Sequence, residues 1–155
     1  YYPEAKVIYI MRHPEKAILS RRRYFTWNNE AAWPIERHAN KWLESVRKIE
    51  KYLRERESSV TIVRLEDVVK DYHDIVEGLC RFLNIPYEGD RVEKYREISK
   101  TLYYPWESWK ADASSDISEQ IANNKMRLSW MDRLRLWLLA GRKMKKYGYS
   151  PLGSK

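Results

Sequence analysis

Arg12, Pro14 and Ser20 carry the chemistry that this chain suggests first. They lie in the run KVIYIMRHPEKAILS, residues 6–20. A guanidinium presents a planar fork of donors that matches two oxygens of a phosphate. Pro14 fits the first turn of a helix, and the N–H groups of such a turn point at any anion placed there. Ser20 adds a neutral hydroxyl from the same helix. Ahead of them, Val7, Ile8, Tyr9 and Ile10 read as a buried strand, which places Arg12 at a strand's carboxyl end, where open α/β sheets bind their ligands. The chemistry implied is phosphate binding. Singly, each residue has a plainer role, Arg12 in a surface ion pair and Ser20 bonded back to a carbonyl one turn earlier; their common register gives them the sharper one. The run Arg21 to Arg23 adds positive potential, but consecutive residues point in different helical directions, so a mostly solvated face is expected.

Other reactive side chains read as structural. Glu66 and Asp67 follow a strand and precede a helix, where carboxylates cap or oppose the helix dipole. His13 stands beside Arg12, His38 is expected on the solvated side of a long helix, and His73 at a helix start. None has a partner that suggests metal or nucleophilic chemistry. Cys80 is the only cysteine, which excludes an internal disulfide and a thiolate-rich metal site, and its helical phase assigns it to a core. Trp33, Trp42, Trp130 and Trp137 have spacings that suit core packing.

The elements that must position these residues follow from periodicity. Ile35, Ala39, Trp42, Leu43, Val46, Ile49 and Leu53 recur at helical spacing, predicting a helix from about Pro34 to Glu57. A β-branched run from Val60 to Leu65 predicts a second strand, and the order strand, helices, strand, helices implies parallel pairing through crossover helices. Further helices are expected over Tyr72 to Asn84 and Ser129 to Tyr147, the last with Ser129 as N-cap and Gly148 as a left-handed C-terminal residue. The polar stretch from Gly89 to Asn124 lacks periodicity and reads as a surface excursion of the kind that forms binding loops or lids.

Length and composition bound the rest. At 155 residues, with 43% apolar and 34% charged residues, the chain is a single packed domain or a piece of one. A net charge of +8 attracts anions of many kinds. No apolar run is long enough to cross a bilayer, and the opening, without Met and close to a strand, is expected to be a cut.

Four segments together resemble the PAPS-dependent sulfotransferases, where PAPS is 3′-phosphoadenosine 5′-phosphosulfate. Ala-Lys-Val-Ile-Tyr followed by Arg-x-Pro-x-x-x-x-x-Ser resembles that family's 3′-phosphate-binding segment. Leu65, Glu66, Asp67 and Val68 stand where the family has Tyr-Glu-Asp-Leu, and Phe82, Leu83, Asn84, Ile85 and Pro86 where it has Phe-Leu-Gly-Ile-Pro. Ala39 and Trp42 through Ile49 resemble the Trp-bearing helix of bacterial and related members, and Met144 to Tyr149 their last helix. The resemblance covers most of Ala5 to Tyr149 and is poorest over Trp106 to Arg127.

The resemblance implies an α/β fold: a partial P-loop-kinase-like sulfotransferase domain with parallel strands, crossover helices and a helical C-terminal part. Residues 1–155 would form one partial domain, with a strand-helix-strand-helix core over 6–88, a loop-rich lid over 89–128 and a C-terminal helix over 129–149. By the same implication Arg12 and Ser20 hold the donor's 3′-phosphate, and Lys125 or Arg127 reaches it from the segment before the last helix. The parent would transfer a sulfuryl group from PAPS to a hydroxyl or amine acceptor, without metal and without nucleic acid. Two departures matter. Leu65 replaces a tyrosine that commonly contacts the nucleotide, and no glycine precedes Gly78, so neither G-x-x-x-x-G-K-[ST] nor the family's looser Pro-Lys-Ser/Gly-Gly-Thr loop is present. The chain is therefore expected to be the C-terminal part of such a domain, lacking the 5′-phosphosulfate loop, with its catalytic groups unassigned. A non-catalytic basic module for nucleic acid or an acidic glycan is the alternative. Family members occur in bacterial cytoplasm, eukaryotic cytosol and the Golgi lumen; a lone cysteine favours a reducing compartment.

Overall fold

The computed structural model describes residues 4–27, 33–91, 94 and 127–151, with the backbone alone described for residues 23–27. Its elements run β1 (Val7–Met11), α1 (Pro14–Trp27), α2 (Ile35–Glu55), a short 3₁₀ turn (Glu57–Ser59), β2 (Val60–Arg64), α3 (Leu65–Lys70), α4 (Tyr72–Leu83) and α5 (Trp130–Lys146). The lid expected over 89–128 lies almost wholly outside the described residues. No described helix is long and apolar enough to cross a membrane.

The chain divides into two compact units, Tyr1–Arg64 with Met126–Lys155, and Leu65–Lys125. In the first, β1 and β2 are parallel, in register from Val7 opposite Val60 to Met11 opposite Arg64, as the alternation of strands and helices predicts. The strand expected to be buried is only partly so: Ile10 is 61% and Val7 38% exposed. A two-stranded sheet covers a strand on few sides, and parallel strands depend on layers over both faces for full burial.

The apolar stripe of α2 forms the centre of this unit. Ile35, Ala39, Leu43 and Val46 join Met11, Ile18 and Leu19 from β1 and α1 and Leu136, Ala140 and Met144 from α5 in one core. α2 begins and ends within two residues of its predicted limits. His38 departs from expectation: it is buried, 3% exposed. Its position, three residues after Ile35 and four before Trp42, lies on the apolar stripe, so its burial follows from the same period that placed the others. Trp42 and Trp137 pack against the core as expected. Trp130 does not; it is 74% exposed because it opens α5, whose buried residues begin at Leu136.

α5 is bounded as its sequence predicts. Ser129 Oγ accepts a hydrogen bond from the N–H of Asp132 at 3.1 Å, and Gly148 adopts φ +73°. Glu50, also on the buried stripe of α2, ties α2 to α5 by accepting from Lys143, Lys146 and the Tyr147 hydroxyl. Burial opposes its ionisation, but the three donors and the charge of Lys143 outweigh that and bring its carboxyl down to about 2. Burial, followed by the charge of Glu50, pushes the Tyr147 phenol up to about 12, which keeps it a donor.

In the second unit, Glu66 and Asp67 occupy the first turn of α3, where negative charge favours the helix dipole. α4 ends at Asn84 in the left-handed region, φ 60°. The N–H of Ile85 then bonds to the Cys80 carbonyl at 3.0 Å, a closure that needs Gly or Asn at that position. Cys80 is half-buried rather than a core residue, since α4 buries none of its residues fully. His73 Nδ1 lies 2.7 Å from the Tyr87 hydroxyl.

Candidate functional site

Arg12 leaves β1 at the carboxyl edge of the sheet, one residue past the Met11–Arg64 pair, and is half-buried. Its backbone is fixed by Trp42, whose indole Nε1–H donates to the Arg12 carbonyl at 3.2 Å. The next residue, His13, directly precedes α1. His13 is buried; its Nδ1 accepts the N–H of Glu15 at 3.2 Å, and its Nε2 lies 3.0 Å from the Ser150 carbonyl. An accepting Nδ1 leaves the proton on Nε2, so one imidazole closes the helix start and donates to the chain after α5. The Tyr149 ring meets His13 edge-on at 5.1 Å.

This arrangement corrects the expectation that the N-terminus of α1 offers several N–H groups to an anion. Pro14 has none, Glu15 gives its own to His13, and Ala17 bonds to the His13 carbonyl at 3.0 Å. The buried Glu15 carboxylate also turns away an anion from that end, for it accepts the Leu128 N–H at 3.0 Å and faces Arg133 Nε at 3.6 Å.

Ser20 lies on the second turn of α1 and is exposed, on the side away from the buried Glu15, Ile18 and Leu19. It shares that flank with Lys16, four residues earlier. Arg127 is exposed, and its neighbour Leu128 is bonded to Glu15, so it stands near the first turn of α1. Lys125 lies outside the described residues. Arg64, the other arginine at the carboxyl edge, is engaged with α5: it donates to the Tyr147 and Gly148 carbonyls at 3.2 and 3.3 Å and lies 5.2 Å over Tyr149.

Residues 1–89, more than half of the chain and the whole β1-to-α4 segment, match the sulfotransferase family. The chain belongs to that family. No curated protein and no solved structure matches it. The match spans Arg12 and Ser20, whereas Lys125 and Arg127 fall beyond it. In this sulfotransferase-family chain, sequence reasoning missed His13 and Trp42, which hold the β1–α1 turn, and Arg64, which holds the chain just after α5. A signal existed for His13, since a polar side chain directly before Pro14 occupies the N-cap position. Arg64 and Trp42 act across long sequence distances that no local pattern reveals. Among the described residues, no group of three or more His, Cys, Asp or Glu side chains could hold a metal ion.

Proposed function

We propose that this chain is the donor-binding, C-terminal part of a PAPS-dependent sulfotransferase domain of P-loop-kinase-like architecture, with Arg12 and Ser20 on the 3′-phosphate. The observation that carries the reading is the placement of Arg12 at the carboxyl edge of a parallel pair, directly before a helix that exposes Ser20 on its outer flank, within a segment that matches the family. With the first-turn N–H groups largely taken, the phosphate would lie along the flank of α1 rather than on its axis. Binding would then rest on side chains, Arg12 first, Ser20 second and Lys16 as a nearby cation. Arg127 and Lys125 remain secondary candidates for the same phosphate.

The reaction so supported breaks the S–O bond to the donor's 5′-phosphate, which leaves as adenosine 3′,5′-bisphosphate, and forms an S–O bond to a hydroxyl or an S–N bond to an amine, the acceptor proton passing to a base. The residues here would contribute orientation, which in such transfers supplies much of the rate. They include no phosphate loop of the usual pattern, so residues 1–155 alone are expected to bind nucleotide and not to transfer sulfuryl groups. The experiment is a calorimetric titration of adenosine 3′,5′-bisphosphate and of AMP. Clear preference for the bisphosphate supports the reading; equal affinity removes it.

A further inference from the structure

Close to Ser20, a second group of cations gathers on one indole. The Arg37 guanidinium lies 3.8 Å from the Trp33 ring centroid, and that of Arg21 5.2 Å from it. The buried His38 ring is 5.5 Å from the same indole. Arg22, next along α1, pairs with Asp132 at 3.3 Å. Glu36, the carboxylate adjacent to Arg37, is directed to Arg135 at 3.9 Å. Among the described residues neither Arg21 nor Arg37 has a carboxylate partner, and both are exposed.

Three features set this group apart from an ordinary solvated face. Stacking on Trp33 restricts the guanidinium rotamers, so less freedom remains to be lost on binding. Arg37 lies in the first turn of α2, where a positive side chain opposes the helix dipole, a cost set against its stacking on Trp33. The charges of this group are felt at His38, which burial first, and then Arg22, Arg21 and Arg37, hold below its ordinary value. Such an arrangement is relieved by an oxyanion. Since Arg21 follows Ser20 directly, that anion would sit beside the donor's phosphate without sharing its contacts.

We propose that Arg21 and Arg37, held on Trp33, form an oxyanion-binding surface that recognises a carboxylate or sulfate ester carried by the acceptor. This rests on the sulfotransferase reading, under which a second anion site beside the donor belongs to the acceptor. Planar guanidinium forks suit both groups, and the stacked indole adds an apolar flank for the body of the ligand.

The test uses three oligosaccharides of equal length, a heparin hexasaccharide, a hyaluronan hexasaccharide and neutral chitohexaose, titrated against the wild-type protein, Arg21→Ala, Arg37→Ala and Arg37→Lys. The expected result is binding of one or both acidic sugars, none of chitohexaose, and a loss of about tenfold for each alanine variant. Arg37→Lys, which keeps charge but not the fork, should fall between wild type and alanine. Relative affinity for the heparin and hyaluronan probes tells sulfate from carboxylate recognition. Adenosine 3′,5′-bisphosphate should bind all four proteins within about twofold, as no donor contact is removed. Three results would overturn the proposal: acidic-sugar binding unchanged in both alanine variants, bisphosphate affinity falling with Arg37→Ala, or a single-stranded DNA dodecamer losing affinity in the same variants. Failure of the donor reading is separate and shows as no bisphosphate binding by the wild type.

Discussion

At Arg12 the backbone is held more firmly than a strand-end residue requires. Trp42 donates to its carbonyl, and His13, next to it, bonds both to α1 and to the chain after α5. If this frame aims the guanidinium, Trp42→Phe should lower bisphosphate affinity by about threefold to tenfold while leaving AMP binding almost unchanged, because one hydrogen bond of about 1 kcal/mol orients the turn. Titration of both nucleotides checks this. Glu50 makes a different prediction, on stability. Its folded-state carboxyl, at about 2, lies below the ordinary 4.5. The stability it contributes is therefore present above the unfolded value and lost as pH falls from about 5 toward 2. Glu50→Gln should cost about 2 kcal/mol at pH 7, the scale of hydrogen bonds to a charged group, and flatten that part of the acid profile. Urea denaturation across pH shows it; parallel acid profiles for variant and wild type would remove Glu50 from the α2–α5 tie.

At the scale of elements, helix ends carry most of the testable content. Gly148 combines φ +73° with a Cβ position only 2.5 Å from Arg64 Nη1. Gly148→Ala should therefore cost about 2 kcal/mol, from left-handed strain and displacement of the Arg64 clamp. Asn84→Ala meets the same left-handed penalty without the clash, about 1 kcal/mol, whereas Asn84→Gly should be neutral or slightly stabilising. Equilibrium denaturation midpoints rank the three, and an Asn84→Ala variant as stable as wild type would contradict the closure at the end of α4. The ends of α5 were legible in the sequence. Ser129 and Gly148 each announce a local conformation, and the parallel β1–β2 pair follows from strand and helix order. Illegible were the distances along the chain: Arg64 to Gly148, Glu15 to Leu128, Glu50 to Lys143. Each joins residues whose local sequence gives no sign of the partner. His38 differs: it is in phase with the apolar stripe of α2, and its polar ring assigned it to the solvated face. The N-terminus of α1 failed for a related reason. Pro14 marks a helix start, but whether its N–H groups stay open depends on the rotamer of His13.

For the whole molecule, the family match over residues 1–89 covers β1, α1, α2 and β2 and runs on through α4. The first compact unit holds Arg12, Ser20 and α5 together, so the two residues proposed for the donor phosphate belong to the unit whose core α2 builds. The net charge of +8 should make any anion binding salt-dependent, but the 3′-phosphate contact itself is a local one. The central claim is that Arg12 reads that phosphate. Its most direct test is the affinity of Arg12→Ala for adenosine 3′,5′-bisphosphate and for AMP, beside wild type and Ser20→Ala, by calorimetry in the full-length protein. The bisphosphate should weaken by about thirty- to a thousandfold in Arg12→Ala, the loss of a two-pronged charged contact, and by about fivefold in Ser20→Ala. AMP should bind weakly throughout and change little. Equal losses for both nucleotides, or none for either, would contradict the account and leave Arg12 a structural residue at the end of β1.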